Sequence, residues 1–413
     1  MHYETPSMVS ITEARELILN RVATLPAEDV PLLDAAGRVL ASHVTAPFDI
    51  PTADNSAMDG YAFATAAWTG KPLRTCGTLP AGEVWRGPVA AGEAVRIMTG
   101  APLPAGCDTV VPLEETVTEG DAVRFTGEVT AGSHVRRRGE EIRAGERVLL
   151  AGALLRPQEI ALLASLGNGT ATVFRRPRVA IIATGDELQE PGSHVQTGRI
   201  FDCNSSGIAA QVMEAGGVPL RLGIAGDDAE RTREMIRRGL DADLVITSGG
   251  VSVGDRDHVK DAIGQLGGKL LFWRVNMKPG KPVAGALIGR TPLVALPGNP
   301  VAALVAGELF VRPALLRMAG HRRIFRPRVT AILDQEIYNR GSRPHLVRCI
   351  VEYRDGCYHA VTTGEQGSAR LTSLTTGNAI LHSPPGTRIP AGTAVELGML
   401  GRGTAAGWET PWP

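Results

Sequence analysis

Ile11, Ala14, Ile18 and Val22 recur at the spacing of one helix face, and Ser10 with Glu13 supplies a capping box, so an amphipathic helix is expected there. From about 28 to 150 the pattern changes. Short Val/Ile/Leu stretches such as 94–98 and 109–113 alternate with Gly-Pro turns, which predicts a β-rich region. A helix is predicted over 156–166, with Pro157 in its first turn and Gly167 closing it. Between about 177 and 318 strand and helix patterns alternate. Strands are expected at 178–183, 218–224, 244–247, 270–275 and 293–296, with helices near 204–215, 228–239, 255–265 and from Asn299. This alternation predicts a doubly wound, mostly parallel α/β sheet. The chain from about 326 returns to β texture at 328–333, 346–353 and 359–362.

At 413 residues the chain is long enough for two to four domains. Lys+Arg and Asp+Glu both total 43, and a net charge of zero argues against nucleic-acid binding. Aromatics make up only 4%, too few for a base-stacking surface. The five cysteines, Cys76, Cys107, Cys203, Cys349 and Cys357, include no Cys-x-x-Cys pair, so neither a disulfide framework nor a zinc site is expected. No basic-then-apolar leader pattern and no apolar run of about 18 residues is found, so no membrane association and a cytoplasmic location are expected.

In an open α/β sheet, ligands bind beyond the carboxyl ends of the strands. Four loops there carry chemistry: Thr184-Gly-Asp-Glu-Leu188, Gly226-Asp-Asp228, the run from Thr247 to Asp257, and Leu296-Pro-Gly-Asn-Pro300. Gly249 and Gly250 allow close backbone approach and read as an anion cradle. Asp186, Glu187, Asp227 and Asp257 could converge on Mg²⁺ shared with phosphates. Alternatively, Asp227 or Asp228 caps the following helix. Lys278 and Lys281 flank a Pro-Gly turn, so both ammonium groups can face one anion. Outside the sheet, 51–61 reads either as a functional loop or as a plain turn. The run Arg136-Arg-Arg-Gly-Glu-Glu141 reads either as a site or as a solvated surface.

Seven segments occur in the order found in the MoeA family: Asp54-Asn-Ser-Ala-Met-Asp-Gly60, Arg96-Ile-Met-Thr-Gly-Ala101, Arg136-Arg-Arg-Gly-Glu140, Thr184-Gly-Asp-Glu187, Ser248-Gly-Gly-Val-Ser-Val-Gly254, Lys278-Pro-Gly-Lys281 and Leu296-Pro-Gly-Asn-Pro300. The chain resembles this family, the molybdopterin molybdenumtransferases that include the gephyrin E domain, over nearly its whole length. The resemblance implies four domains in an elongated homodimer with shared active sites. They are a small helical/mixed linker domain (7–27 plus 141–176), a β-rich N-terminal domain (28–140), a MogA-like α/β domain (177–325) and a C-terminal β-barrel-like domain (326–413).

The implied reaction is insertion of molybdate into adenylylated molybdopterin, with Mg²⁺-dependent release of AMP. The resemblance carries catalytic roles onto Asp59, Glu187, Asp257, Lys278 and Lys281. It carries molybdopterin contacts onto Thr99, Arg136, Arg137, Arg138, Ser248, Gly249, Gly250, Ser252, Pro297, Asn299 and Pro300. Metal ligation falls to Asp186, Glu187, Asp227 and Asp257, and molybdate binding to Lys278, Lys281, Pro282, Arg348 and Ser368, with Arg343 as a rival to Arg348. Two positions depart from the family pattern: Glu141 stands where Asp is usual, and Ala302 where Ser is usual. Implied partners are a MogA-like adenylyltransferase and molybdoenzyme maturation proteins. Two alternative functions are an ATP-dependent adenylyltransferase and a non-catalytic scaffold like the gephyrin E domain. The first would favour Gly-Gly-Thr-Gly where this chain has Gly249-Gly-Val-Ser252.

Overall fold

The strand–helix alternation folds into a six-stranded sheet of β1 (Arg178–Ala183), β2 (Val218–Ile224), β3 (Leu244–Ser248), β4 (Lys269–Trp273), β5 (Ala284–Ile288) and β6 (Thr291–Leu296). The structure is a computed structural model that describes residues 8–251 and 258–401. The strand order is β2-β1-β3-β6-β5-β4. The first four strands are parallel, whereas β5 pairs antiparallel with both β6 and β4. The sheet is therefore mixed. The sequence pattern gave no expectation of β5, because Ala284-Gly-Ala-Leu-Ile288 opens on small residues with weak strand preference.

Alternate residues feed two cores, as a doubly wound sheet requires. Val179, Ile181, Ile246, Val294 and Leu296 pack with the helices Ile11–Leu19, Cys203–Glu214 and Pro300–Ala306 on one face. Ala180, Ile182, Val245, Leu293 and Ala295 pack with helices Ala229–Gly239 and His258–Gln265 on the other. Each Val, Ile or Leu side chain buried this way contributes about 1.5–3 kcal/mol. The helix starts are fixed locally. Ser10 and Glu13 form the expected reciprocal cap, and Asp202 and Asp228 accept from Ser205 N and Arg231 N at 2.9 Å each. Each such cap is worth about 1 kcal/mol. Among the described residues, no helix is long and apolar enough to cross a membrane.

The C-terminal β texture closes into a five-stranded barrel. Its strands are β7 (Arg328–Leu333), β8 (His345–Arg354), β9 (Cys357–Thr362), β10 (Ala379–Ser383) and β11 (Ala394–Met399). Val347, Cys349, Val351, Ala360, Leu381 and Leu397 fill it. Barrel and α/β sheet belong to one compact unit, which takes Met1–Val30, Gly37–Ala41 and the chain from Thr172.

The second unit comprises Pro31–Ala36 and Ser42–Ala171. It holds a six-stranded sheet in the order Thr109–Pro112, Gly60–Phe63, Glu93–Ile97, Leu73–Leu79, Ala122–Phe125 and Thr116–Glu119. Phe63 stacks on Phe125 at 4.8 Å, with Trp68 edge-on to both. The helix Pro157–Ser165 starts on its proline, and Gly167 adopts φ +80° just past its end, as the sequence predicts.

Candidate active site

The parallel register brings the strand-end loops together. Ala183 pairs with both Ile224 and Ser248, and Ser248 pairs with Leu296, so four loops leave the sheet side by side. The sheet order reverses between β1 and β3, the usual place for a ligand crevice. Gly249 and Gly250 have φ +90° and +65°. A Cβ on Gly249 would lie 2.5 Å from Thr184 O, so only glycine fits this turn. The Gly249 N–H donates to Leu296 O at 3.0 Å. It therefore ties β3 to β6 and is not itself open to an anion.

Ser248 is buried and serves the same junction. Asn204 donates to Ser248 Oγ at 2.9 Å and to Gly298 O at 2.8 Å, which locks the Pro297–Pro300 turn against β3. Asn204 had no motif to mark it; its signal is a polar residue buried in the first turn of a capped helix. Ala302, where the family usually has Ser, is buried in the helix that follows.

Among the acidic residues, Asp186 and Asp227 come together: the Asp227 N–H donates to Asp186 Oδ1 at 2.9 Å. Asp228, not Asp227, caps the next helix, so that alternative is resolved. The Glu187 carboxylate folds back over Gly185, where an added Cβ would meet it at 2.6 Å. Ser252 and Asp257 lie outside the described residues. Among the described residues no three His, Cys, Asp or Glu side chains are grouped to cage a metal ion. The exposed Asp186 and Asp227 instead fit the habit of Mg²⁺, which takes one or two carboxylates and completes its shell with phosphate oxygens and water.

The Lys278 loop is clipped to the barrel. Lys278 N–H donates to Pro344 O at 2.8 Å, Leu346 N–H donates to Lys278 O at 2.7 Å, and Arg343 Nη1 donates to Met277 O at 3.0 Å. Lys278 is exposed, while Lys281 and Pro282 are half-buried. Arg348 is completely buried on β8. Its guanidinium donates to Ser373 Oγ at 3.2 Å, Gly367 O at 3.1 Å and Leu346 O at 3.4 Å. No carboxylate pairs with it among the described residues, and burial pulls its pKa below the usual arginine value. Through Gly367 it holds Ser368, whose Oγ accepts from Asn299 Nδ2 at 3.1 Å and whose carbonyl accepts from Val301 N–H at 3.1 Å. Arg348, Ser368 and Asn299 thus form one connected set.

His345 was not singled out from the sequence, since a lone histidine between Pro344 and Leu346 matches no motif. It sits in a parallel bridge with Lys278, and its Nε2 is buried with no hydrogen-bond partner. Burial, with the positive charges of Lys278 and Arg348, pushes its pKa down to about 4, so it is neutral at physiological pH.

In the second unit, Asp59 Oδ1 accepts from both N and Oγ1 of Thr99 at 2.7 Å, and these bonds hold its pKa below the usual carboxylate range. Arg137 and the Arg138 N–H engage Asp54 at 2.7 and 2.8 Å, and Arg138 Nε reaches Asp49 at 2.6 Å. The basic run is therefore neither wholly solvated nor wholly available. Arg136, in register with Asn55, forms no ion pair among the described residues. Glu141 is exposed.

This architecture joins an α/β domain, whose strand-end loops converge on a ligand crevice, to a closed barrel. Residues 180–317 match the profile described as a probable molybdopterin binding domain. Residues 9–167 match the MoeA N-terminal region (domain I and II), and 330–399 the MoeA C-terminal region (domain IV). The chain belongs to the MoeA family, enzymes of molybdenum cofactor biosynthesis. It is 36% identical to molybdopterin molybdenumtransferase 2 of Mycobacterium tuberculosis, over 94% of this chain and 99% of that protein. It is also 36% identical to the molybdopterin molybdenumtransferase of Nostoc, over 94% and 92% of the two chains. A crystal structure of the molybdopterin biosynthesis MoeA protein from Pyrococcus horikoshii superposes with a TM-score of 0.79 at 30% identity, covering 95% of this chain and all of that one.

Proposed function

We propose that this chain inserts molybdenum into adenylylated molybdopterin with release of AMP. The observation that carries this reading is Arg348, a buried guanidinium without a carboxylate partner among the described residues, set beside Lys278 and the neutral His345. A buried cation lacking a counter-ion is costly, and an oxyanion such as molybdate offsets that cost with charge-assisted hydrogen bonds.

Lys278 and Lys281 would bring ammonium groups to the same anion, with Pro282 as a rigid wall and Ser368 as a hydroxyl donor. The turns at Gly249–Gly250 and Pro297–Pro300 would seat the molybdopterin phosphate and pterin, with Ser252 and Asp257 in the segment between. Attack by water on the adenylyl phosphorus would break the phosphoanhydride, giving AMP with the molybdopterin phosphate as leaving group. Attack by a molybdate oxygen would expel the same phosphate and give adenylyl-molybdate, which water then cleaves to AMP and molybdate. Asp186, Glu187 and Asp227 would hold Mg²⁺, which supplies charge screening at the phosphoanhydride. The protein's part is to position reactants and neutralise charge.

The proposal extends to assembly. In a homodimer, Asp59, Thr99 and Arg136–Arg138 of one subunit would complete the cleft of the other, with a MogA-like adenylyltransferase supplying the substrate. AMP release from adenylylated molybdopterin, followed with and without molybdate and Mg²⁺, tests the reaction. Release that requires both supports it; release indifferent to molybdate, or consumption of ATP instead, contradicts it.

A further inference from the structure

The outer surface of the barrel carries a second constellation that the chemistry above does not use. Cys357 and His359 are two residues apart on β9, so their side chains share one face of the strand. Cys357 Sγ lies 3.3 Å from His359 Nε2, and His359 Nδ1 lies 2.8 Å from Asp334 Oδ1.

The placement is built into the barrel. Asp334 follows β7, where Ile332 is in register with His359, and the Asp334 N–H donates to Ala360 O at 3.0 Å. Asp355 and Gly356, with φ +50° and +82°, make the two-residue turn from β8 to β9 and pair Arg354 with Cys357. Arg354 Nη2 then fixes the other Asp334 oxygen at 2.5 Å. Hydrogen bonds from His359 and Arg354 hold Asp334 below the usual carboxylate range, so it is an anion at neutral pH.

An anionic Asp334 selects the His359 tautomer with its proton on Nδ1, which leaves the Nε2 lone pair facing Sγ. Arg354 Nη2 also lies 3.2 Å from Nδ1. The two ring nitrogens face different partners, so the group cannot chelate a single metal ion. Its arrangement is that of a thiol with an oriented general base.

We propose that Cys357 is a base-assisted thiol and a modification site for low-molecular-weight disulfides. His359 Nε2 takes the Sγ proton as sulfur attacks one sulfur of the reagent. The new S–S bond forms as the reagent's S–S bond breaks, and the leaving thiolate collects the proton from Nε2. Cys357 is oxidised to a mixed disulfide, and the reagent's other half is reduced to a thiol.

The test uses the full chain with iodoacetamide and glutathione disulfide as probes, read at each cysteine by peptide mass spectrometry. Cys203 is the internal control: it is exposed, and desolvation raises its pKa. At pH 7, Cys357 is expected to react at least about tenfold faster than Cys203 with both probes, and His359→Gln should remove at least about tenfold of that rate. Asp334→Asn should give an intermediate loss. The wild-type comparison of Cys357 with Cys203 decides the matter even if a variant fails to fold. A Cys357 rate equal to that of Cys203, or a natively folded His359→Gln chain that reacts as fast as wild type, overturns the proposal.

Discussion

Asn299 donates its amide to Ser368 Oγ at 3.1 Å, which joins the loop after β6 to the barrel loop held by Arg348. The bond couples a residue that the family resemblance gives to molybdopterin to one that it gives to molybdate. Asn299→Ala and Ser368→Ala should each remove about 1 kcal/mol of organisation, or roughly fivefold in the molybdate concentration giving half-maximal AMP release. Stability should change little, because Asn299 is exposed. An unchanged molybdate requirement in both variants would remove the pair from the site.

The junction at Gly249 should be intolerant. Gly249→Ala places a Cβ 2.5 Å from Thr184 O at φ +90°, so a loss of about 1–3 kcal/mol is expected. Chemical denaturation measures it. A variant as stable as the parent would show that the turn relaxes at no cost.

Much of this was legible in the chain. The Ser10–Glu13 box, the Pro157–Gly167 punctuation and the Val/Ile runs of β1 and β3 are local signals, and the structure follows them. β5 escaped because its residues are small and weak strand formers, although it makes a hairpin with β6 across Gly289 and Arg290. Side-chain and loop commitments escaped because their partners are distant in sequence. Nothing near Gly249 in sequence shows that its N–H is taken by Leu296, and nothing near His345 shows two cations flanking it. Asp227 and Asp228 are chemically alike, and only the path of the chain into the helix made Asp228 the cap.

His345 gives a pH signature. Its folded pKa, about 4, lies below the ordinary 6.5, so between these values the unfolded chain binds the extra proton. Its contribution to stability is complete above about pH 6.5 and declines as pH falls toward 4, by at most about 1.4 kcal/mol per pH unit. Urea titrations of wild type and His345→Gln across this window should show a shallower slope for the variant. Parallel slopes would mean that folding does not shift the His345 pKa.

The proposed shared-site dimer predicts complementation. Asp59→Asn and Glu187→Gln chains, each inactive alone, should recover about a quarter of wild-type activity when co-refolded. Half of randomly paired dimers are mixed, and each mixed dimer has one intact site. No recovery, with mixed dimers verified by native mass spectrometry, would place both residues in the same subunit's site.

Arg348 and Lys278, neither paired with a carboxylate among the described residues, should together seat an oxyanion, which calorimetric titration of the purified protein with molybdate alone measures. Wild type should bind one molybdate per chain. Lys278→Ala should bind at least about tenfold more weakly, the loss of one charge-assisted bond of about 1.5–3 kcal/mol. Arg348→Met, which keeps the bulk and removes the charge, should weaken binding at least as much. Wild-type affinity in both variants would contradict the account.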